Sequence, residues 1–390
     1  MDTFKREFID IMQAAFSENP ANISEAFDWD KAVGLAKSHN IVPILYYGAV
    51  NSGFSKEQPH IQELYQLTLR SLMISTRQIY EIEQIEKTFA ERNIEYMPLK
   101  GTILKGIYPK PEMRTMGDAD ILIKLEQYPE IQTIMEQLQF SFQYESDHEL
   151  IWKKPSLFLE LHKRIMTTYN KDFYDYFGSG WKIAKRIPNS TKYEMSAEDF
   201  YLFAFVHFTK HYRISGIGIK HLIDLWVYAN AYPELDWAYV ETELNKMHLL
   251  EFYGNINKTI DVWFRGGTET EVTDLITNVI FNSGQYGTAE MAIINRSLQK
   301  GTSSATKIKL TRMFKTVFLP YKAMKDKYTF LHKAPIFLPI MWIVRCFTVL
   351  FHKKTRVKHY LETINQIDSE QINKNEHALG MVGLDFESKE

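Results

Sequence analysis

One cysteine, Cys346, occurs in 390 residues. An intrachain disulfide is therefore excluded, and so is a metal cluster built on several thiolates. An excess of charge is missing too: 46 Lys and Arg stand against 48 Asp and Glu, for a net charge of −2. The molecule as a whole is thus no generic polyanion binder. The opening segment, MDTFKREFIDIMQAAF, has the spacing of an amphipathic helix and lacks the apolar core of a signal peptide. The longest apolar run, 334–351, is broken by Pro335, Pro339 and Arg345, too short and too interrupted for a membrane span. No internal repeat is visible. The expectation is a cytoplasmic protein without disulfide partners. With 45% apolar residues it has enough to pack cores for two or three domains.

What is present begins with helical periodicity over 1–75, punctuated at Asn19-Pro20 and Asn51-Ser52-Gly53. A long helical pattern over 66–92 ends at Asn93. The spacing then predicts a short buried strand over 96–99, a helix over 102–108 that stops before Pro109 and Pro111, and a strand over 118–123. A helix over 131–138 follows, then three alternating segments at 142–144, 148–152 and 157–161 that suit a mixed sheet. Beyond 195 the pattern is helical nearly to the end. The last 30 residues are polar and net acidic, which predicts a loosely ordered tail.

The chemistry concentrates in Lys100-Gly101-Thr102 and in Arg114-Thr115-Met116-Gly117-Asp118-Ala119-Asp120. Side chains alternate along a strand, so Asp118 and Asp120 are expected on one face with Cα atoms about 6.5 Å apart. Two carboxylates at that spacing can share one Mg²⁺ or bracket two. A glycine turn entering a helix offers free N–H groups to a phosphate. Acids that bind metal beside a phosphate cradle point to phosphoryl or nucleotidyl transfer. Lone D-x-D pairs are common in solvated turns, so the argument rests on the combination.

The segment YMPLKGTILKGIYPKPEMRTMGDADILIK resembles the core of the nucleotidyltransferase superfamily that includes DNA polymerase beta. It is most similar to the bacterial family labelled "uncharacterised nucleotidyltransferase", whose pattern runs LKG, a helix ending in tyrosine-proline, then R-x-x-G-D-x-D. Gly101-Thr102 stands where most relatives have glycine-serine, and threonine keeps the hydroxyl. The close likeness spans about 90–165, with a looser one to about 355. It implies an α/β (α+β) fold: a nucleotidyltransferase core with a small mixed β-sheet flanked by helices, plus a large C-terminal helical region. It also implies a third acid, and Glu160 in LFLELHK matches the family's acid-leucine-histidine. Asp147 and Glu149, in the turn ESDHEL, compete for that role. The implied division is an N-terminal helical region at 1–75, the catalytic core at 76–170, a helical domain closing the cleft at 171–300, a basic helical region at 301–360 and the tail at 361–390.

The resemblance therefore implies a Mg²⁺-dependent (or Mn²⁺-dependent) enzyme that moves an NMP from an NTP to an acceptor hydroxyl and releases pyrophosphate. Asp118, Asp120 and Glu160 would hold metal. Lys100, Gly101, Thr102, Arg114 and Lys220 would meet the nucleotide, although Arg114 equally suits bracing the aspartate loop. Gly117, His162, His207, His211 and Asp224 are supporting candidates. His207 and His211 lie four apart on a helix, but without the glutamate of H-E-x-x-H zinc is disfavoured. An equal reading of this cluster is a salt-bridge and histidine network. From 301 to 360 there are thirteen Lys or Arg and one acid, Asp326. That segment suits an anionic surface, or simply a solvated face. A small-molecule acceptor is favoured, with RNA or protein as alternatives in a toxin-type or regulatory enzyme. A non-catalytic module on the same fold is the remaining alternative, together with a peripheral membrane protein docking through 334–351.

Overall fold

Five strands form one mixed sheet in the computed structural model, which describes residues 1–17, 19–167, 171–285, 287–321, 324, 328, 331, 333–352 and 362–385. They are β1 (Tyr96–Leu99), β2 (Ala119–Ile123), β3 (Ser141–Glu145), β4 (Glu149–Lys153) and β5 (Phe158–His162), in the order β1-β2-β5-β4-β3. β2 and β5 run parallel, and every other pair is antiparallel. Alternation then sorts the side chains. Ala119, Ile121, Leu159, Leu161, Leu150 and Trp152 join one core, while Asp120, Glu160 and His162 share the opposite face. The fold class is the expected α/β one, a mixed sheet with many helices.

Contacts group the chain into two compact units, a coarser division than the five segments read from the sequence. The first comprises 1–210 and 217–285, the second 211–216 and 286–390. In the first, α1 (Thr3–Ala14), α2 (Trp29–Ser38) and α3 (Val42–Asn51) precede the 33-residue α4 (Pro59–Glu91). Pro59 suits the first turn of α4, where its missing N–H costs no hydrogen bond. Ile82, Ile85 and Phe89, at helical spacing, pack α4 onto the sheet core. Asn93 ends the helix with φ of 54°, and the chain turns into β1. α3 lies so close on α1 that a Cβ at Gly48 would sit 1.8 Å from the Ile11 carbonyl oxygen. Gly48→Ala is therefore expected to destabilise the unit by about 1–3 kcal/mol. Chemical denaturation checks this, and an unchanged midpoint would refute it.

Three boundaries differ from the sequence expectation. The helix after Gly101 is the single turn α5 (Gly101–Leu104); onward to Ile107 the backbone closes i→i−3 turns instead. Asp118 stands one residue ahead of β2, in the turn, with Ala119 the first paired residue. Between 171 and 195 a short helix α7 (Lys171–Phe177) and a two-stranded ribbon of β6 (Lys185–Arg186) and β7 (Tyr193–Glu194) appear where no element was read. After α6 (Tyr128–Gln137) and the sheet, the unit is completed by α8 (Ala197–Ser215), whose last five residues fall in the second unit, and by α9 (Ile219–Ala231), α10 (Trp237–Lys246), α11 (Leu250–Phe264) and α12 (Glu271–Ser283).

The second unit contains α13 (Ala289–Leu298), α14 (Ala305–Val317), α15 (Leu338–His352) and α16 (Ser369–Met381). Its core joins Ile293, Ile294, Leu298 and Ile308 to Ile364, Ile367 and Ile372. The tail read as loosely ordered thus carries a capped helix: Asp368 and Gln371 close a capping box at the start of α16. Spaced isoleucines in a polar sequence suffice to bury one face. Much of the basic segment, including Lys322, Lys325, Lys327, Lys353, Lys354, Arg356 and Lys358, lies outside the described residues. Among the described residues no helix is long and apolar enough to cross a membrane.

Candidate active site

The parallel pairing of β2 with β5 sets Asp120 directly opposite Glu160. His162 follows on the same face, and its Nε2 lies 2.8 Å from Asp120 Oδ1 and 3.5 Å from Glu160 Oε2. From the other side, Lys100 Nζ donates to the same Asp120 oxygen at 2.8 Å. Leu99 pairs with Asp120 across β1 and β2, so Lys100 emerges just past the carboxylate. It does so with φ of 40°, a left-handed conformation that costs a side-chain-bearing residue about 1–3 kcal/mol. Gly101 follows because the aspartate loop presses on it: a Cβ there would stand 3.2 Å from the Met116 side chain.

These charges act on one another. Burial would raise the Asp120 carboxyl, but the Lys100 ammonium and the His162 imidazole outweigh it and hold Asp120 well below the usual carboxylate range. Asp118 goes the other way. Burial, then the negative charges of Asp120 and Glu160, push it up to about 6 against the pull of Lys100 and Lys220. Burial would lower Lys100, yet Asp120, Glu160 and Asp118 raise it. Burial would also lower His162, and its hydrogen bonds to Asp120 and Glu160 raise it instead. A compact set of acids is thus held together by one lysine and one imidazole, with one member of the set poorly compensated.

Such a carboxylate pair beside a lysine turn is one link; the sequence over the whole unit is the other. A family described as "Uncharacterised nucleotidyltransferase" matches residues 25–265, more than half of the chain. The chain belongs to this family. No curated protein and no solved structure matches it.

Each candidate from the sequence can now be placed in this member of the family. Asp120, Glu160 and His162 bring ligand atoms within 4.8 Å of one another, as do His148, Glu149 and His162. Among the described residues Asp118, which immediately precedes β2, belongs to neither set. The competing acid Asp147 lies 3.9 Å from Arg164, and Glu149 lies 3.0 Å from His148. Glu160 alone of the three faces Asp120 in register. Thr102 keeps a buried hydroxyl without a hydrogen-bond partner among the described residues. Gly117 is exposed and leads into Asp118.

Arg114 and Asp224 are buried together. Arg114 Nε donates to Asp224 Oδ1 at 2.6 Å, and Tyr108 Oη donates to the same oxygen at 2.7 Å. A second guanidinium nitrogen binds the Thr115 carbonyl at 2.7 Å. Of the two roles open for Arg114, this is the geometry of a brace for the aspartate loop. Lys220 supports the same loop, with Nζ 3.2 Å from the Thr115 carbonyl; burial and the Arg114 charge bring it down to about 7. His221 Nδ1 stands 3.9 Å from Asp224, and the His207 ring lies 6.4 Å from that of His221. Among the described residues, His207 and His211 join no metal-type cluster.

Three residues near the acids went unread in the sequence. Tyr108 belongs to the tyrosine-proline of the family pattern, which marks it only as a helix end. Lys210 on α8 is half-buried; burial and the Lys100 charge bring it down to about 8, opposed by the negative charges of Asp120, Glu149 and Glu160. Its signal was slight, a lysine between two histidines. His148 had none, because its relation to His162 exists only across β4 and β5.

Proposed function

We propose that the protein transfers a nucleoside monophosphate from a nucleoside triphosphate to an acceptor hydroxyl, with release of pyrophosphate. The observation that carries this reading is the register of Asp120 and Glu160 on adjacent parallel strands, beside the Lys100 turn, in a member of a nucleotidyltransferase family. The residues fit a divalent cation. Their donors are carboxylate oxygens, which suit Mg²⁺ or Mn²⁺, and the raised Asp118 carboxyl marks negative charge that a dication would relieve. Asp118, Asp120 and Glu160 would hold the ion. When bound, it would neutralise phosphate charge and polarise the α-phosphoryl group.

The chain's own contribution is positioning and charge. The four-residue α5 offers little helix dipole, so Lys100 provides the positive charge at the turn. The acceptor oxygen attacks the α-phosphorus in line, the bond to the bridging α–β oxygen breaks, and pyrophosphate departs with that oxygen. Glu160 takes the proton from the acceptor hydroxyl. Arg114, Asp224, Tyr108 and Lys220 hold the aspartate loop in place.

Calorimetric titration of ATP, GTP, CTP and UTP, with and without Mg²⁺, tests the reading on the wild type and on Asp118→Ala/Asp120→Ala. Metal-dependent binding of one nucleotide by the wild type, lost in the double variant, is the expected result. Equal binding by both proteins would remove the carboxylates from the site. No binding of any nucleotide would favour a non-catalytic module.

A further inference from the structure

The face of the sheet that carries Asp120 and Glu160 continues outward across β4, and there the donors change from oxygen to nitrogen. His148 precedes β4, and Glu149 is its first residue, paired in register with His162 on β5. Ligand atoms of His148, Glu149 and His162 lie within 4.8 Å of one another, and the His148 and His162 rings are 5.9 Å apart. Each imidazole has one nitrogen occupied by an orienting oxygen. For His148 that is Nδ1, 3.4 Å from the Ser146 hydroxyl; for His162 it is Nε2, 2.8 Å from Asp120. The other nitrogen of His148 meets Glu149 at 3.0 Å. The other nitrogen of His162 meets nothing: Nδ1 is buried without a partner among the described residues, in a side chain only 4% exposed. A buried ring nitrogen left unpaired is costly, and each such atom in a folded protein calls for a reason.

Metal-binding histidines present this pattern. One nitrogen binds the ion while the other donates its N–H to a carboxylate or hydroxyl, which fixes the tautomer and aims the ring. We propose that His148, Glu149 and His162 form a second metal site, with His162 Nδ1 as a ligand, for a cation that favours imidazole, of which Zn²⁺ is the chief example. Tetrahedral Zn²⁺ with bonds of about 2.0–2.2 Å places its ligands about 3.4 Å apart, so closing this set takes side-chain movements of the order of 1 Å. Three protein ligands leave one position open to water. Two imidazoles and one carboxylate favour Zn²⁺ over Mg²⁺, whereas the Asp120 and Glu160 oxygens favour the reverse. His162 thereby joins the two sets: an ion on Nδ1 would hold its Nε2–H as a donor to Asp120.

The test needs neither nucleotide nor acceptor, so its outcome is independent of the transferase reading. Metal-stripped full-length protein is titrated with Zn²⁺ by calorimetry, with Co²⁺ absorption as a second readout, in the wild type, His148→Ala, Glu149→Gln and Glu160→Gln. His148 lies in a turn outside the core, and circular dichroism confirms that each variant is folded. The expected result is one tight site in the wild type, weakened at least about tenfold in both His148→Ala and Glu149→Gln. Glu160→Gln, which removes a ligand from the carboxylate set only, should weaken it less than either. Absence of a Zn²⁺ site in the wild type, undiminished binding in His148→Ala or Glu149→Gln, or a loss in Glu160→Gln as large as theirs would each overturn the proposal.

Discussion

Asp118→Asn should produce a protein that is inactive and more stable than the wild type. The asparagine removes a metal-binding carboxylate, and nucleotide transfer should fall by at least about a hundredfold. Stability should move the other way for an electrostatic reason. In the unfolded chain this carboxyl titrates near 3.8; in the folded protein, burial and then Asp120 and Glu160 push it up to about 6. The folded state therefore binds more protons between those values, and wild-type stability falls as pH rises through that window. At pH 7.5 the full penalty is present, and removing the charge should stabilise the metal-free protein by about 1–3 kcal/mol. At pH 4 the folded carboxyl is neutral and the unfolded one only about half ionised, so most of the penalty is gone. There the two proteins should unfold at nearly the same urea concentration, and added Mg²⁺ at neutral pH should narrow the gap by stabilising only the wild type. Urea titrations at pH 4 and pH 7.5, with and without Mg²⁺, decide the matter. A variant less stable than the wild type at pH 7.5 would mean that Asp118 is well compensated and not poised for a cation.

The largest loss of stability is expected from Asp224→Ala. Its carboxylate is the common acceptor for Arg114 and Tyr108, and the Arg114 and Asp224 side chains are each only 6% exposed. Truncation would strand a buried guanidinium, at a cost of about 3–5 kcal/mol. Replacing both partners, Arg114→Met with Asp224→Leu, should recover most of that loss, because no charge is then left unpaired. The double variant also separates the two roles of Arg114. If the arginine braces the aspartate loop, nucleotide binding should follow recovered stability in the double variant. If stability returns and binding does not, Arg114 touches the phosphates. Thermal unfolding and nucleotide calorimetry on the wild type, Asp224→Ala and the double variant supply both readouts.

How much of this was legible beforehand depends on the range of the interaction. β1 was readable because four apolar residues follow a long amphipathic helix, and the strands at 141–162 because alternation is a local pattern. Asp118 was read one residue too far into its strand. Where pairing begins depends on the partner strand β5, which lies 40 residues on. The tail was read as loose because its composition is polar, yet three isoleucines at 364, 367 and 372 meet α13 and α14. Composition averages over a window and so misses one buried face.

The same distinction holds at the candidate site. By itself the sequence determined the family and the α/β class, and it put forward the lysine-glycine turn and the acids at 118, 120 and 160 as candidates, because these are runs of neighbouring residues with a recognisable order. Only the tertiary structure decided that Lys100 and His162 grip one oxygen of Asp120 and that Arg114 is tied to Asp224. It also decided that His162 stands beside His148 and Glu149 and keeps one ring nitrogen unpaired among the described residues. Those pairings join residues 20 to 110 positions apart or lie across two strands. Their energies depend on distance and burial, which a linear order of residues does not contain.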